Sequence, residues 1–174
     1  MTWILIAAAL VPVIVLFIYI WLKDKRQPEP LKWLFKALIY GVLSAAIVVG
    51  VLSPVPKIEI TGWLSAMWNA FFMAAIPEES AKLLMLWLLL RKNPYFDEQL
   101  DGIVYATCIG LGFAGIENIG YVVSSYLANG NWLSISITRA IFSVPGHFSF
   151  AIVMGVLPSV TPATSATWCM TMAW

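Results

Sequence analysis

Apolar runs of about twenty residues, each closed by charge or proline, set the pattern of this chain. The first covers residues 2–22 and stops at Lys23-Asp24-Lys25-Arg26, followed by Gln27-Pro28-Glu29-Pro30. The second covers residues 31–52 and ends at Ser53-Pro54-Val55-Pro56, where two prolines withdraw backbone donors. The third, residues 62–90, is long enough to cross with tilt or as two helical pieces, and Pro77-Glu78-Glu79-Ser80-Ala81-Lys82 interrupts its middle. A polar linker, residues 91–102, is expected in water. A fourth run over 103–127, a turn at Asn129-Gly130-Asn131 and a fifth run over 132–157 complete the series. About 20 helical residues cross a hydrocarbon core ~30 Å thick. The pattern therefore predicts an all-α, polytopic transmembrane bundle of about five spans. The first run has no charged n-region and no small-residue cleavage site ahead of its charges, so it reads as a retained helix.

Composition agrees. Hydrophobic residues make up 61% and charged residues 11% of the chain, with a mean hydropathy of +0.86; soluble domains carry about 25% charged residues. The net charge of +1 and the lack of any basic run interleaved with aromatics exclude a nucleic-acid surface. Cys108 and Cys169 stand in apolar sequence without Cys/His spacing, so neither a disulfide framework nor a structural zinc site is indicated. Lys23, Lys25, Arg26, Lys32, Lys36, Arg91 and Lys92 fall on one side of the predicted bilayer and Lys57 on the other. By the positive-inside rule the first and third loops are cytoplasmic and the N-terminus extracytoplasmic, in a cell membrane. Gly110, Gly112, Gly115 and Gly120 give the fourth span a smooth face for close helix packing.

Ionisable residues inside the bilayer are the candidate chemistry, because each costs about 2.5–3.5 kcal/mol at mid-membrane even on insertion scales. Glu78 and Lys82 are four residues apart, Glu79 and Lys82 three, so one lysine can neutralise either carboxylate. Pro77 suits the first turn of a new helix whose dipole favours the two acids, which predicts a break within the third span. Glu117, beside Asn118, reads either as a protonated packing residue or as a metal ligand or proton relay. His147 is the only histidine. Arg139, nearer its span end, is expected to snorkel. Such an inventory can support metal-assisted hydrolysis or can move protons or ions, and the residues alone leave both open.

Four blocks carry a family resemblance: Tyr19 to Pro30; Pro77-Glu78-Glu79-Ser80-Ala81-Lys82; Phe96 to Tyr105, with Asp101-Gly102-Ile103-Val104-Tyr105, leading into Gly110 to Tyr121, with Glu117-Asn118; and Pro145-Gly146-His147 running to Met154-Gly155. In this order they resemble the PrsW family of intramembrane proteases, related to CAAX-prenyl endopeptidases, over nearly all of residues 1–157. The resemblance implies a membrane peptidase that cuts a single-pass transmembrane substrate, such as an anti-sigma factor. It implies Glu78, Glu79 and His147 as catalytic residues and Lys82, Glu117 and Asn118 as supporting ones. Zinc is the implied cofactor, with Glu117 and His147 as metal ligands.

One departure shapes the domain reading. The family ends on a further helix bearing a second histidine followed four residues later by an aspartate, and neither a histidine nor an acid follows His147 here. Residues 1–157 thus read as the peptidase core, and residues 158–174 as an atypical tail of a truncated, frameshifted or naturally shortened chain without the family's C-terminal helices. The alternative is a catalytically incomplete membrane protein of the same fold that holds its substrate. An ion carrier comes third, since paired broken helices of inverted repeats are missing.

Overall fold

The computed structural model describes residues 2–24, 28–53 and 62–160. Every element among them is helical: α1 Thr2–Lys23, α2 Leu31–Leu52, α3 Trp63–Ala70, a π-helical turn Phe71–Ala75, α4 Ile76–Leu90, α5 Gln99–Asn129, α6 Trp132–Thr138, a second π-helical turn Arg139–Ser143, and α7 Val144–Val160. Four stretches are long and apolar enough to cross a membrane: Trp3–Lys23, Leu31–Leu52, Leu100–Asn129 and Trp132–Leu157. The expected third span is the path from α3 through α4, which stays helical throughout but carries the charged cluster. The chain is a polytopic helical membrane protein. Most of the expected tail, together with Cys169, lies outside the described residues.

The two prolines widen their helices instead of breaking them. Pro77 and Pro145 each follow a π-turn by two residues. A proline ring collides with the carbonyl four residues back and offers no N–H. Lengthening the preceding turn relieves that clash: Ile76 N donates to Phe71 O, and Val144 N donates to Arg139 O, each five residues back. The break expected at Pro77 is thus a register shift. Such single-turn insertions cluster at functional sites, and here Glu78 and Glu79 follow the first proline directly while His147 follows the second by two residues.

Helix α5 is the axis of the bundle and packs against α1, α2, α4, α6 and α7. Tyr105, Ala106, Cys108, Ile109, Leu111 and Ala114 along it are fully buried. Its glycines serve separate neighbours rather than one smooth face. A Cβ on Gly112 would lie 2.1 Å from Leu38 O of α2, one on Gly110 would lie 2.8 Å from Ala151 Cβ of α7, and Gly115 faces Leu10 and Val13 of α1. Nothing comes within 4 Å of a Cβ built on Gly120. Because lipid is as apolar as the side chains, close backbone approach supplies the packing attraction between these helices.

The linker expected in water is partly buried. Asn93 and Asp101 join Asp24, Glu29 and Tyr105 in a polar cluster between the α1–α2 connection and the start of α5. Glu98 and Asp101 form a capping box on α5, and Asp101 Oδ2 accepts the Glu98 N–H at 2.7 Å and the Asp97 N–H at 3.0 Å. Glu29 N donates to Asp24 Oδ2 at 2.9 Å, and the Tyr105 hydroxyl donates to Glu29 Oε2. Burial pushes the Glu29 carboxyl up to about 7, with repulsion from Asp101 and Asp24 adding to it and the Tyr105 hydroxyl opposing it. Burial raises Asp24 as well, against the pull of the Glu29 N–H.

Candidate active site

Glu78 and Glu79 stand in the first turn of α4, directly after Pro77, which brings no N–H of its own. One turn on, Lys82 is fully buried. Its Nζ donates to Glu79 Oε1 at 2.7 Å and stands 3.9 Å from Glu78 Oε2. The Phe113 ring of α5 covers the ammonium, 4.1 Å from the ring centre, so the charge is held by carboxylates and a π face, as desolvation demands.

From the far side α7 brings His147. Lys82 Nζ is 3.0 Å from His147 Nδ1, and His147 Nε2 is 2.9 Å from Glu117 Oε2 of α5. An ammonium can only donate, so Nδ1 accepts; Nε2 then carries the proton and donates to the Glu117 carboxylate. That same Oε2 accepts from Arg139 Nη2 at 2.5 Å. Arg139 Nε donates to Asn118 Oδ1 at 2.6 Å, and Asn118 Nδ2 donates to Ala9 O of α1 at 3.2 Å. The Tyr121 ring lies 4.1 Å from the guanidinium carbon of Arg139. The result is one hydrogen-bonded chain through four helical segments: Glu79, Lys82, His147, Glu117, Arg139, Asn118 and Ala9 O.

All six residues singled out from the sequence, Glu78, Glu79, Lys82, Glu117, Asn118 and His147, therefore meet in one place. Arg139 does not snorkel; it turns inward to Glu117 and Asn118. Its sequence signal was the eight-residue gap to His147, about two turns once the π-turn's extra residue is counted. Phe113 and Tyr121, the aromatic covers of Lys82 and Arg139, also went unsuspected.

A divalent cation finds suitable donors here. Glu78, Glu79 and His147 each offer one ligand atom, all within 4.8 Å of one another. Two carboxylates and an imidazole suit zinc in kind and number. Glu117, expected as a ligand beside His147, stands at Nε2, across the ring from Lys82, its Oε2 engaged by His147 and Arg139. The Lys82 ammonium lies among the converging donors and supplies the positive charge there.

Comparison with known proteins places this geometry in context. The sequence model of a family described as PrsW family intramembrane metalloprotease matches residues 29–174. A Protease PrsW of Clostridioides difficile (strain 630) is 34% identical over 148 residues, covering 84% of this chain and 61% of that protein. Its namesake in Geobacillus kaustophilus (strain HTA426) is 34% identical over 87% of this chain and 64% of its own length. That of Bacillus subtilis (strain 168) is 29% identical over 87% and 66%. The chain thus spans less than two thirds of the length of each. No solved structure matches it.

Proposed function

The chain belongs to the PrsW family of intramembrane metalloproteases, and from that membership we propose that it hydrolyses a peptide bond in a single-pass membrane protein, such as an anti-sigma factor. The observation that carries this reading is the unbroken hydrogen-bonded chain from Glu79 through Lys82 and His147 to Glu117. Two carboxylates, an ammonium and an imidazole drawn from three helices form a proton-handling unit where the bilayer tolerates none without cause.

Glu79 is the base we assign, since its side chain is 33% exposed against 18% for Glu78 and so is better reached by water. It takes a proton from the attacking water at Oε2, the oxygen that does not accept from Lys82. Lys82, fixed by both acids, sets its positive charge where the carbonyl oxygen gains negative charge. His147 presents Nδ1 to the same space while Glu117 holds its other nitrogen. Glu78, Glu79 and His147 would hold a zinc ion in place of the Lys82 ammonium, and when bound it would polarise water and the scissile carbonyl. The lysine and arginine asymmetry of the loops supports a cell-membrane protein with its N-terminus outside.

The test is co-expression with a tagged single-pass substrate. Glu79→Gln and His147→Ala are expected to abolish cleavage while the protein still accumulates in the membrane. Wild-type cleavage in both variants would remove the assignment.

A further inference from the structure

Arg139 sits outside the group that handles the proposed substrate, yet it is the only described side chain besides His147 that bonds Glu117. Its hold is built from several sides: Nη2 on Glu117, Nε on Asn118, and the Tyr121 face beneath the guanidinium. Asn118 ties that assembly to α1 through Ala9 O. Arg139 also opens the π-turn that leads to Pro145 and His147, so it and the imidazole ride on one rigid helical segment while Glu117 rides on α5. A guanidinium never gives up its charge in a protein and presents donors in a fixed fork. Glu117 is thereby kept as a pure acceptor with one oxygen aimed at the ring.

We infer that Arg139 is a positioning residue for His147: through Glu117 it fixes the ring's orientation and, together with Lys82 at the other nitrogen, its tautomer, so that Nε2 bears the proton and the Nδ1 lone pair faces Lys82. Without Arg139 the Glu117 side chain keeps a single partner and is free to rotate away, and Nε2 loses its acceptor. The ring then keeps only the Lys82 donation to Nδ1, which selects a tautomer no longer than the unheld ring stays in place. Partners on the far side of a ligating or catalytic histidine commonly set activity by about 10- to 100-fold in this way. The catalytic consequence rests on the hydrolase reading; the tautomer does not.

Because the chain contains a single histidine, 15N-histidine labelling reports this ring alone. The experiment uses metal-free protein in detergent micelles at a pH where the ring is neutral, and reads the two ring-nitrogen shifts. The wild type is expected to show the Nε2–H form, Arg139→Gln a mixture of the two forms, Arg139→Lys recovery toward wild type, and Asn118→Ala an intermediate ratio. A wild-type ratio in Arg139→Gln, or a shift that Arg139→Lys does not reverse, overturns the inference. Should Arg139→Gln fail to accumulate, Asn118→Ala carries the test, and an unchanged ratio there overturns it equally. In a cleavage assay, Arg139→Gln is expected to lower kcat about 10- to 100-fold with KM little changed. A shifted tautomer in a protein whose wild type cleaves nothing would defeat the hydrolase reading alone.

Discussion

Lys82 Nζ lies 3.0 Å from Nδ1 of His147 although 65 residues separate the two in the chain. A buried ammonium is placed there by α4 and met there by α7. Lys82 therefore couples two helices as well as pairing with the acids of its own.

Lys82→Met is expected to destabilise the protein by roughly 2–3 kcal/mol. This is below the 3–5 kcal/mol typical of breaking a fully buried pair, because both glutamates are partly exposed. Glu79→Gln should restore part of the loss when combined with it. Thermal unfolding in detergent of the two single variants and the double variant checks this. Additive effects to within about 0.5 kcal/mol would mean that the pair is not coupled.

Gly112→Ala is expected to cost about 1–3 kcal/mol, since its new methyl group would stand 2.1 Å from Leu38 O and only a backbone shift of α2 or α5 can relieve that. Gly120→Ala, with open space around it, should be neutral or slightly stabilising, as alanine is the better helix former. Comparing the melting temperatures of the two variants isolates the helix crossing from helix propensity.

The glycine pair also shows where sequence reading reached its limit. Hydropathy located the four stretches able to cross to within a few residues, because the cost of exposing backbone to lipid leaves helices as the one economical answer. The Glu78, Glu79 and Lys82 triad was legible because its spacing is local. Which glycine faces which neighbour was not, since that depends on α5 being surrounded. Arg139 was misread for a related reason: distance from a span end predicts snorkelling only when no acceptor lies inward, and Glu117 lies on another helix. The buried cluster of Asp24, Glu29 and Asp101 was hidden because a polar linker normally signals water, whereas here Tyr105 draws its neighbours into the bundle.

That cluster should make stability depend on pH. The Glu29 carboxyl binds its proton more tightly in the folded protein, up to about 7, than in an unfolded chain near 4.5. The stabilisation is therefore complete below about pH 4.5 and is lost as pH rises through 7; Asp24, also raised, acts with the same sign from about pH 4 upward. The loss amounts to about 3 kcal/mol at most. Melting temperature should fall between pH 5 and pH 8, and Glu29→Gln should flatten that slope. A slope unchanged in Glu29→Gln would assign the dependence to another group.

Lys82 is expected to compete with any divalent cation. Its ammonium bonds Glu79 Oε1 and His147 Nδ1, and Glu79 and His147 belong, with Glu78, to the one set of converging ligand groups among the described residues. An entering ion must displace Nζ and leave a buried lysine without its partners, at a cost that weakens the apparent affinity. Lys82→Met removes the competitor while keeping the volume of the stem. It should bind Co2+, a spectroscopically visible probe, at least about tenfold more tightly than the wild type, equivalent to about 1.4 kcal/mol. Glu78→Gln in either background should weaken binding, because it removes a charged donor. Titration of purified protein, followed by the visible absorption of the bound ion, measures all four affinities. Equal affinity in wild type and Lys82→Met would show that the lysine and the ion do not share one position.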